Sequence, residues 1–414
     1  MVRSQRDTAS IEAAYRLFGS RQSYFTMKVQ AALSWYFPNS HSFEPKGLLE
    51  SSDKEEIELR SGTHQVPVLI TPEDWCIADS TPILALLDSR MAEARFYPAG
   101  ITGLLTMLLE EFFDEWSARW CISCRWMNGS ETAMHASAAM FSGSGMGADT
   151  AAKAQEQTWA WGKRAARAIG VNSSTQQAAA DSELTRIFSG FEQHLASGHR
   201  FVFGDYPTAV DCVMMGGLRA HFLHDLHPRQ LLGQLPLVNN WADRSEEPLD
   251  HRDSVISPPP KEESDDEDYG TPIWEAESEL YAEDSLLPSV RPSVGSDAGS
   301  GYLSIGSADS LPPFVSLVLA EMGGAFRAFV QGNRRAVERG EKSFVAEVHG
   351  EQVSYLCRPY VEKSRRMLVQ RLQLHGARVG CSAHERAVFE QVLEAAGLQE
   401  VYGVGQQLLV GASL

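Results

Sequence analysis

The chain is short of positive charge. Its 414 residues carry 36 Lys and Arg against 54 Asp and Glu, a formal net charge of −18. No cluster of basic residues stands anywhere along it, so the electrostatic footprint of a nucleic-acid-binding protein is missing. Cysteine is scarce as well. Cys76, Cys121, Cys124, Cys212, Cys357 and Cys381 are scattered through a long chain, which is not the framework of a disulfide-stapled secreted protein and fits a reducing compartment. Residues 1–14 are polar with charges of both signs and lack the apolar centre of a signal peptide. No apolar run reads as long enough to cross a bilayer. The expectation is a soluble, cytoplasmic protein with no membrane span.

The acidity is concentrated in one place. Between Arg244 and Ser310 there are 17 Asp and Glu against four Lys and Arg, a local balance of −13 that leaves −5 for the rest of the chain. This stretch is rich in Ser, Pro and Gly, with Pro258-Pro259-Pro260 and an acidic run over residues 262–268. It cannot bury enough apolar surface to offset the entropy of ordering it. Residues 246–310 are therefore expected to be a disordered linker, with 273–287 as a transient helix. Outside it, a hydrophobic content of 43% and a charged content of 22% are ordinary for globular domains, and the length allows two or three of them.

Tyr15-Arg16-Leu17-Phe18-Gly19 alternates like a strand. Residues 20–26 are polar and turn-like. Val29, Ala32, Leu33 and Tyr36 then recur at helical spacing, and Pro38 stops that helix. Residues 41–45 read as a second strand. The run Gln65-Val66-Pro67-Val68-Leu69-Ile70 is β-branched, with a proline that belongs at the strand's start or edge. The turn Thr71-Pro72-Glu73-Asp74 leads into Trp75-Cys76-Ile77-Ala78. Asp79-Ser80-Thr81 before Pro82 is a helix start. The order is strand, helix, strand, hairpin, helix, a small α/β layer. From Leu104 onward the pattern is helical: 104–126, 151–169, 176–195 and 209–223. After the acidic stretch, 314–337 reads as helix, 343–349 and 352–356 as two strands joined by Gly350-Glu351, and 362–374 and 383–396 as closing helices.

These motifs, in this order and spacing, resemble the glutathione transferases over about the first 245 residues. The strand–loop–helix of residues 15–33, the Val66-Pro67 pair and Asp79-Ser80 resemble their N-terminal domain. Phe203-Gly204-Asp205-Tyr206-Pro207-Thr208-Ala209-Val210-Asp211 resembles the capping motif of their helical domain. The resemblance implies an α/β thioredoxin-like, glutathione-binding domain over 13–97 and an all-helical domain over 101–245. After the linker it leaves a small α+β region over 311–400.

It also implies site residues. Ser23 falls where serine-type and cysteine-type members carry the catalytic group, just ahead of the first helix. Free N–H groups and the positive end of the helix dipole favour a thiolate there, and a serine hydroxyl donates a hydrogen bond to it. This tetrad has no cysteine, which argues against thiol–disulfide exchange. Ser23 also reads as an ordinary N-cap, and Tyr24 and Ser20 are alternative hydroxyls. Pro67 is the expected cis-proline, presenting Val66 to the cysteinyl part of glutathione, with Gln65 and His64 flanking. Asp79 and Ser80 are expected to hold the γ-glutamyl amine and carboxylate while capping their helix; Asp stands where the family commonly has Glu. Thr208 and Asp211 form a capping box of purely structural role.

Cys121 and Cys124 have redox or metal-ligand spacing but read as helix core, and no metal is expected. Trp116, Trp120, Trp126, Trp159 and Trp161 could line an apolar pocket or simply be core; Arg119, Arg125, Arg219, His221 and His224 could face the same cleft. Two functional readings follow. One is an enzyme that conjugates glutathione, as co-substrate, to a small hydrophobic electrophile, with no bound cofactor. The other is a non-catalytic binding or scaffold protein on the same fold. For assembly, a homodimer stands beside a monomer whose last hundred residues pack on the helical domain in place of a partner.

Overall fold

The computed structural model describes residues 14–91, 96–141, 148–243, 301–378 and 381–403. Most of the expected acidic linker, and all of its transient helix, lies outside the described residues.

Strand β1 (Tyr15–Gly19) lies parallel to β2 (His41–Pro45) on one side and antiparallel to β3 (Val68–Ile70) on the other; β3 then pairs antiparallel with β4 (Cys76–Ala78). The sheet order is β2-β1-β3-β4, a mixed sheet of thioredoxin type. Helix α1 (Tyr24–Tyr36) follows β1, and α2 (Ser51–Ser61) lies between β2 and β3. The sequence pattern gave no sign of α2, because Ile57 is its only buried residue and an almost wholly polar helix has no periodic apolar stripe to read. It covers the small cluster of Phe18, Ile57, Val68, Ile70 and Cys76. Helix α3 (Ser80–Ser89) closes the unit on the opposite face, beside α1.

The helical part comprises α4 (Gly100–Glu115), α5 (Ala118–Ile122), a π-turn at Ser123–Met127, α6 (Ser130–Phe141), α7 (Ala148–Ala168), α8 (Ser174–Ala196) and α9 (Ala209–Gly217). A second π-turn at Leu218–Phe222, α10 (Leu226–Leu232) and α11 (Pro236–Asp243) follow. The interface with the first unit is built on α1 against α9. It is close because Gly216 sits there: a Cβ at that position would stand 2.6 Å from the Tyr24 carbonyl oxygen and 2.8 Å from the Lys28 nitrogen. A capping box at Thr208 and Asp211 starts α9.

The expected linker ends earlier than residue 310. Residues 301–310 are placed by backbone bonds, from the Asp205 amide to the Gly301 carbonyl and from the Leu303 amide to the Phe203 carbonyl, both 2.9 Å, and Ile305 is buried. Helices α12 (Pro313–Glu321) and α13 (Arg327–Glu338), a hairpin of β5 (Ser343–Val348) and β6 (Glu351–Leu356), and helices α14 (Pro359–Arg378), α15 (Ala383–Ala395) and α16 (Gln399–Tyr402) complete the described chain. Their apolar side chains enter the same core as the helical part. Phe326 packs edge-on to Phe112, and Phe314 lies against Phe191. One sequence expectation is corrected here. The run Pro313–Glu338 is long and apolar enough to cross a membrane by length and composition. Its Phe314, Val315, Val318, Phe326 and Phe329 are instead buried within the protein, and the run is broken by a π-turn with non-helical backbone at Gly324.

Candidate functional site

Strand register brings the chemistry together. Phe18 pairs with Val68, and Val68 with Ala78. The residues just beyond each pair, the turn of 19–23, the Val66–Pro67 segment and Asp79-Ser80, therefore leave the sheet at the same end of β1, β3 and β4. The Val66–Pro67 peptide is cis; Pro67 is buried, Val66 half-buried, and Gln65 and His64 exposed.

Ser23 is the N-cap of α1, with extended backbone (φ −94°, ψ 121°) and a side chain that accepts from the Thr26 amide at 3.3 Å. That leaves its hydroxyl proton free to donate elsewhere. The loop before it is held from the helical part: Arg125 donates to the Gln22 carbonyl at 3.0 Å, to the Ala220 carbonyl at 2.6 Å and to Asp225 at 2.7 Å. The alternative hydroxyls are committed elsewhere. Tyr24 is buried, donates to the Phe113 carbonyl and accepts from Ser117, and burial holds its phenol well above the ordinary range. Ser20 donates to Gln22 at 2.9 Å.

Asp79 has φ 74° and ψ 138°. A non-glycine residue in that region costs on the order of 1–3 kcal/mol and survives only where its surroundings over-determine it. One carboxylate oxygen caps α3 by accepting from the Thr81 amide at 3.3 Å. The other accepts the hydroxyl of Tyr360, from the first turn of α14. Ser80 is buried at the start of α3. The acidic end of the cradle thus meets a side chain of the C-terminal region, a contact no sequence pattern indicated.

Behind Asp79 lies a carboxylate cluster on α4. Lys28, fully buried on α1, is 2.7 Å from both Glu110 and Asp114. Burial works against its charge, but Asp114 and Glu110 outweigh it and hold the ammonium above its ordinary range. Burial and the neighbouring acids push Asp114 up to about 7, even against Lys28. Glu115 meets Arg358 at 3.3 Å and Glu111 accepts from Ser364 at 2.7 Å. This cluster was legible in principle. Glu110-Glu111 and Asp114-Glu115 stand inside an otherwise apolar helix, and charges in such a place are paired or functional.

Other candidates resolve into structure. Trp116, Trp120 and Trp126 are buried in the core, while Trp161 is half-exposed. Arg119 is buried in an ion pair with Glu183 at 2.7 Å. His221 is buried beside Asp225, and desolvation with help from Arg125 lowers it to about 4. Cys121 and Cys124 are buried, with burial raising both thiols. Cys124 Sγ donates to Asp181 at 3.6 Å, and His227 Nε2 lies 2.8 Å from the other oxygen of the same carboxylate. A surface cleft of about 580 Å³ between α8, Leu231 and Leu317 is lined by none of the cradle residues.

A mixed β2-β1-β3-β4 sheet with a helix starting at Ser23, followed by a helical region docked through α1 and α9, defines a thioredoxin-like domain leading an all-helical one. Residues 17–95 match the family described as glutathione S-transferase, N-terminal domain. Among solved structures the chain is similar to a glutathione S-transferase from Rhodospirillum rubrum F11, at 17% identity over 56% of this chain and 88% of that one, TM-score 0.35. It is also similar to one from Xanthobacter autotrophicus Py2, at 19% identity over 56% of this chain and 93% of that one, TM-score 0.30. No curated protein matches the chain in sequence.

Proposed function

We propose that the chain binds glutathione in the cradle at the end of the sheet and conjugates it, through a bond from its sulfur, to a small hydrophobic electrophile. The placement of Ser23, the Val66–Pro67 segment and Asp79-Ser80 after the same end of β1, β3 and β4 carries this reading. Ser23 is the catalytic hydroxyl: it donates to the thiolate while its oxygen stays on the Thr26 amide, so the donor is already oriented before substrate arrives. Val66, flanked by Gln65 and Pro67, aligns the cysteinyl backbone, and Asp79 and Ser80 take the γ-glutamyl end. The chemistry needs no bound cofactor; glutathione is the co-substrate. The cytoplasm, where glutathione is abundant and thiols stay reduced, is the matching compartment.

A second reading, a non-catalytic protein on this fold, is favoured by one observation: the Tyr360 hydroxyl already occupies an oxygen of Asp79. Isothermal titration of the full chain with glutathione separates the two, since the transferase reading requires micromolar to millimolar binding. Turnover of a model electrophile by Ser23→Ala then tests the hydroxyl, with a loss of at least tenfold in kcat/KM expected; unchanged turnover would remove Ser23 from the mechanism. In solution we propose a monomer rather than a homodimer, because α14 and α15 cover α4 from within the chain; a doubled mass by sedimentation equilibrium would refute it.

A further inference from the structure

Three metal-ligating side chains of different kinds meet in the helical part, and none of them belongs to the cradle. Cys124 comes from the π-turn at Ser123–Met127, Asp181 from α8 and His227 from the first turn of α10. One ligand atom from each lies within 4.8 Å of the other two. Cys124 Sγ is 3.6 Å from Asp181 Oδ1, and His227 Nε2 is 2.8 Å from Oδ2. Cys124 is fully buried, whereas the His227 and Asp181 side chains are 23% and 24% exposed. The trio is thus closed on the sulfur side and open to solvent on the other. Asp181 also lines the cleft of about 580 Å³, beside Ser182, Arg186 and Leu231.

The order of contacts is not that of a nucleophile. An activated cysteine has its base beside the sulfur; here the carboxylate stands between thiol and imidazole and accepts from both. The spacing suits a cation instead. Tetrahedral bonds of about 2.0–2.3 Å put neighbouring ligand atoms about 3.3–3.6 Å apart. The Sγ–Oδ1 distance already matches, and the Nε2–Oδ2 contact has to open by about half an ångström. A thiolate and a carboxylate carry two negative charges between them, which balance a divalent ion, and neutral imidazole adds a third donor.

We propose that Cys124, Asp181 and His227 bind a divalent transition metal of the zinc class, with a fourth position open to water. Sulfur, imidazole and carboxylate suit zinc and cobalt, while magnesium and calcium take oxygen ligands. On binding, the thiol proton leaves to solvent and the imidazole proton moves to Nδ1, so metal bonds replace both hydrogen bonds to Asp181. Cys121 is outside the set: its spacing to Cys124 suggests a ligand pair, but the partners of Cys124 come from α8 and α10. The ion ties these two helices to the π-turn. Arg125, next to Cys124, holds the Gln22 carbonyl ahead of Ser23, so the site braces the wall behind that loop. The proposal does not rest on the transferase reading.

The test is titration of the reduced, chelator-treated, full-length chain with Co2+, followed by absorption with no added thiol. A single equivalent is expected to raise a thiolate-to-cobalt charge-transfer band in the near ultraviolet. Zn2+ should bleach it, and Mg2+ and Ca2+ should not. Cys124→Ser should abolish the band, and Cys357→Ser, at a half-buried cysteine elsewhere, should keep it. His227→Gln, at a partly exposed position, should weaken Co2+ at least tenfold and serves if Cys124→Ser does not fold. Absence of the band, its survival in Cys124→Ser, its loss in Cys357→Ser, bleaching by Mg2+, or an unchanged Co2+ affinity in His227→Gln would each overturn the proposal.

Discussion

Replacing Glu183 by Leu should cost about 3–5 kcal/mol of folding stability. Glu183, on α8, is buried and accepts from Arg119 at 2.7 and 2.9 Å, from the Trp120 indole at 2.7 Å and from His349 at 2.7 Å. Leucine nearly conserves the volume, so the cavity contribution is small. What remains is a guanidinium 2% exposed with no counter-charge, still hydrogen-bonded to Gln176 at 3.0 Å. The ion pair has a pH signature too. Burial pushes the Glu183 carboxyl up, but Arg119, His349 and Trp120 together bring it below the ordinary range. A carboxylate lowered on folding stabilises above its unfolded pKa and loses that stabilisation as pH falls through the folded value. Urea unfolding followed by tryptophan fluorescence measures both effects: the midpoint drop at pH 7, and a shallower acid-side loss in Glu183→Leu than in wild type. His349 sits at the turn between β5 and β6, so the network also ties the C-terminal hairpin to α8. A loss below about 1 kcal/mol would refute the reasoning that an unpaired Arg119 is the dominant cost.

The remaining predictions read other parts of the chain. Gly216→Ala should cost about 1–3 kcal/mol, because the new methyl meets α1 backbone rather than a movable side chain; thermal melts would show it, and an unchanged Tm would mean α1 and α9 are less tightly apposed. Asp211, buried in the α9 capping box, is raised to about 6 by desolvation, against bonds from Thr208 and Val202. A carboxyl raised on folding contributes stability that is present below its unfolded value near 4 and lost as pH rises through 6, about 3 kcal/mol for that shift. The difference in stability between pH 4 and pH 7 should therefore change by that amount in Asp211→Asn, and parallel profiles would contradict it. Ser23→Ala should cost about 1 kcal/mol as a lost N-cap, measured by urea titration and independent of any effect on turnover.

How much of this was legible in the sequence depended on whether a residue's role was local. Ser23, Asp79 and Thr208 cap helices that begin at their own positions, so the signal and the structure are a few residues apart. The β5–β6 hairpin was readable for the same reason: its apolar alternation and the Gly350 turn are contiguous. Tyr360 was not, because its meaning is a contact with Asp79 across 281 positions, and a tyrosine at a helix start carries no mark of that. Arg119 could not be placed from the sequence because its partner, Glu183, lies on another helix. Helix α2 escaped for the opposite reason, having too little apolar pattern to register.

The contact between Tyr360 and Asp79 bears on the transferase reading less than it first suggests. An ionised carboxylate offers about four lone-pair sites. The Thr81 amide takes one and the Tyr360 hydroxyl another, so acceptor capacity remains on both oxygens for an incoming ammonium. The strained backbone of Asp79 holds that carboxylate at the start of α3 whether or not a ligand is present. Tyr360 then acts as a neutral donor that fixes the carboxylate without cancelling its charge, as a lysine in the same place would. A site built to exclude an amine would put a cation on Asp79; this one puts a phenol there.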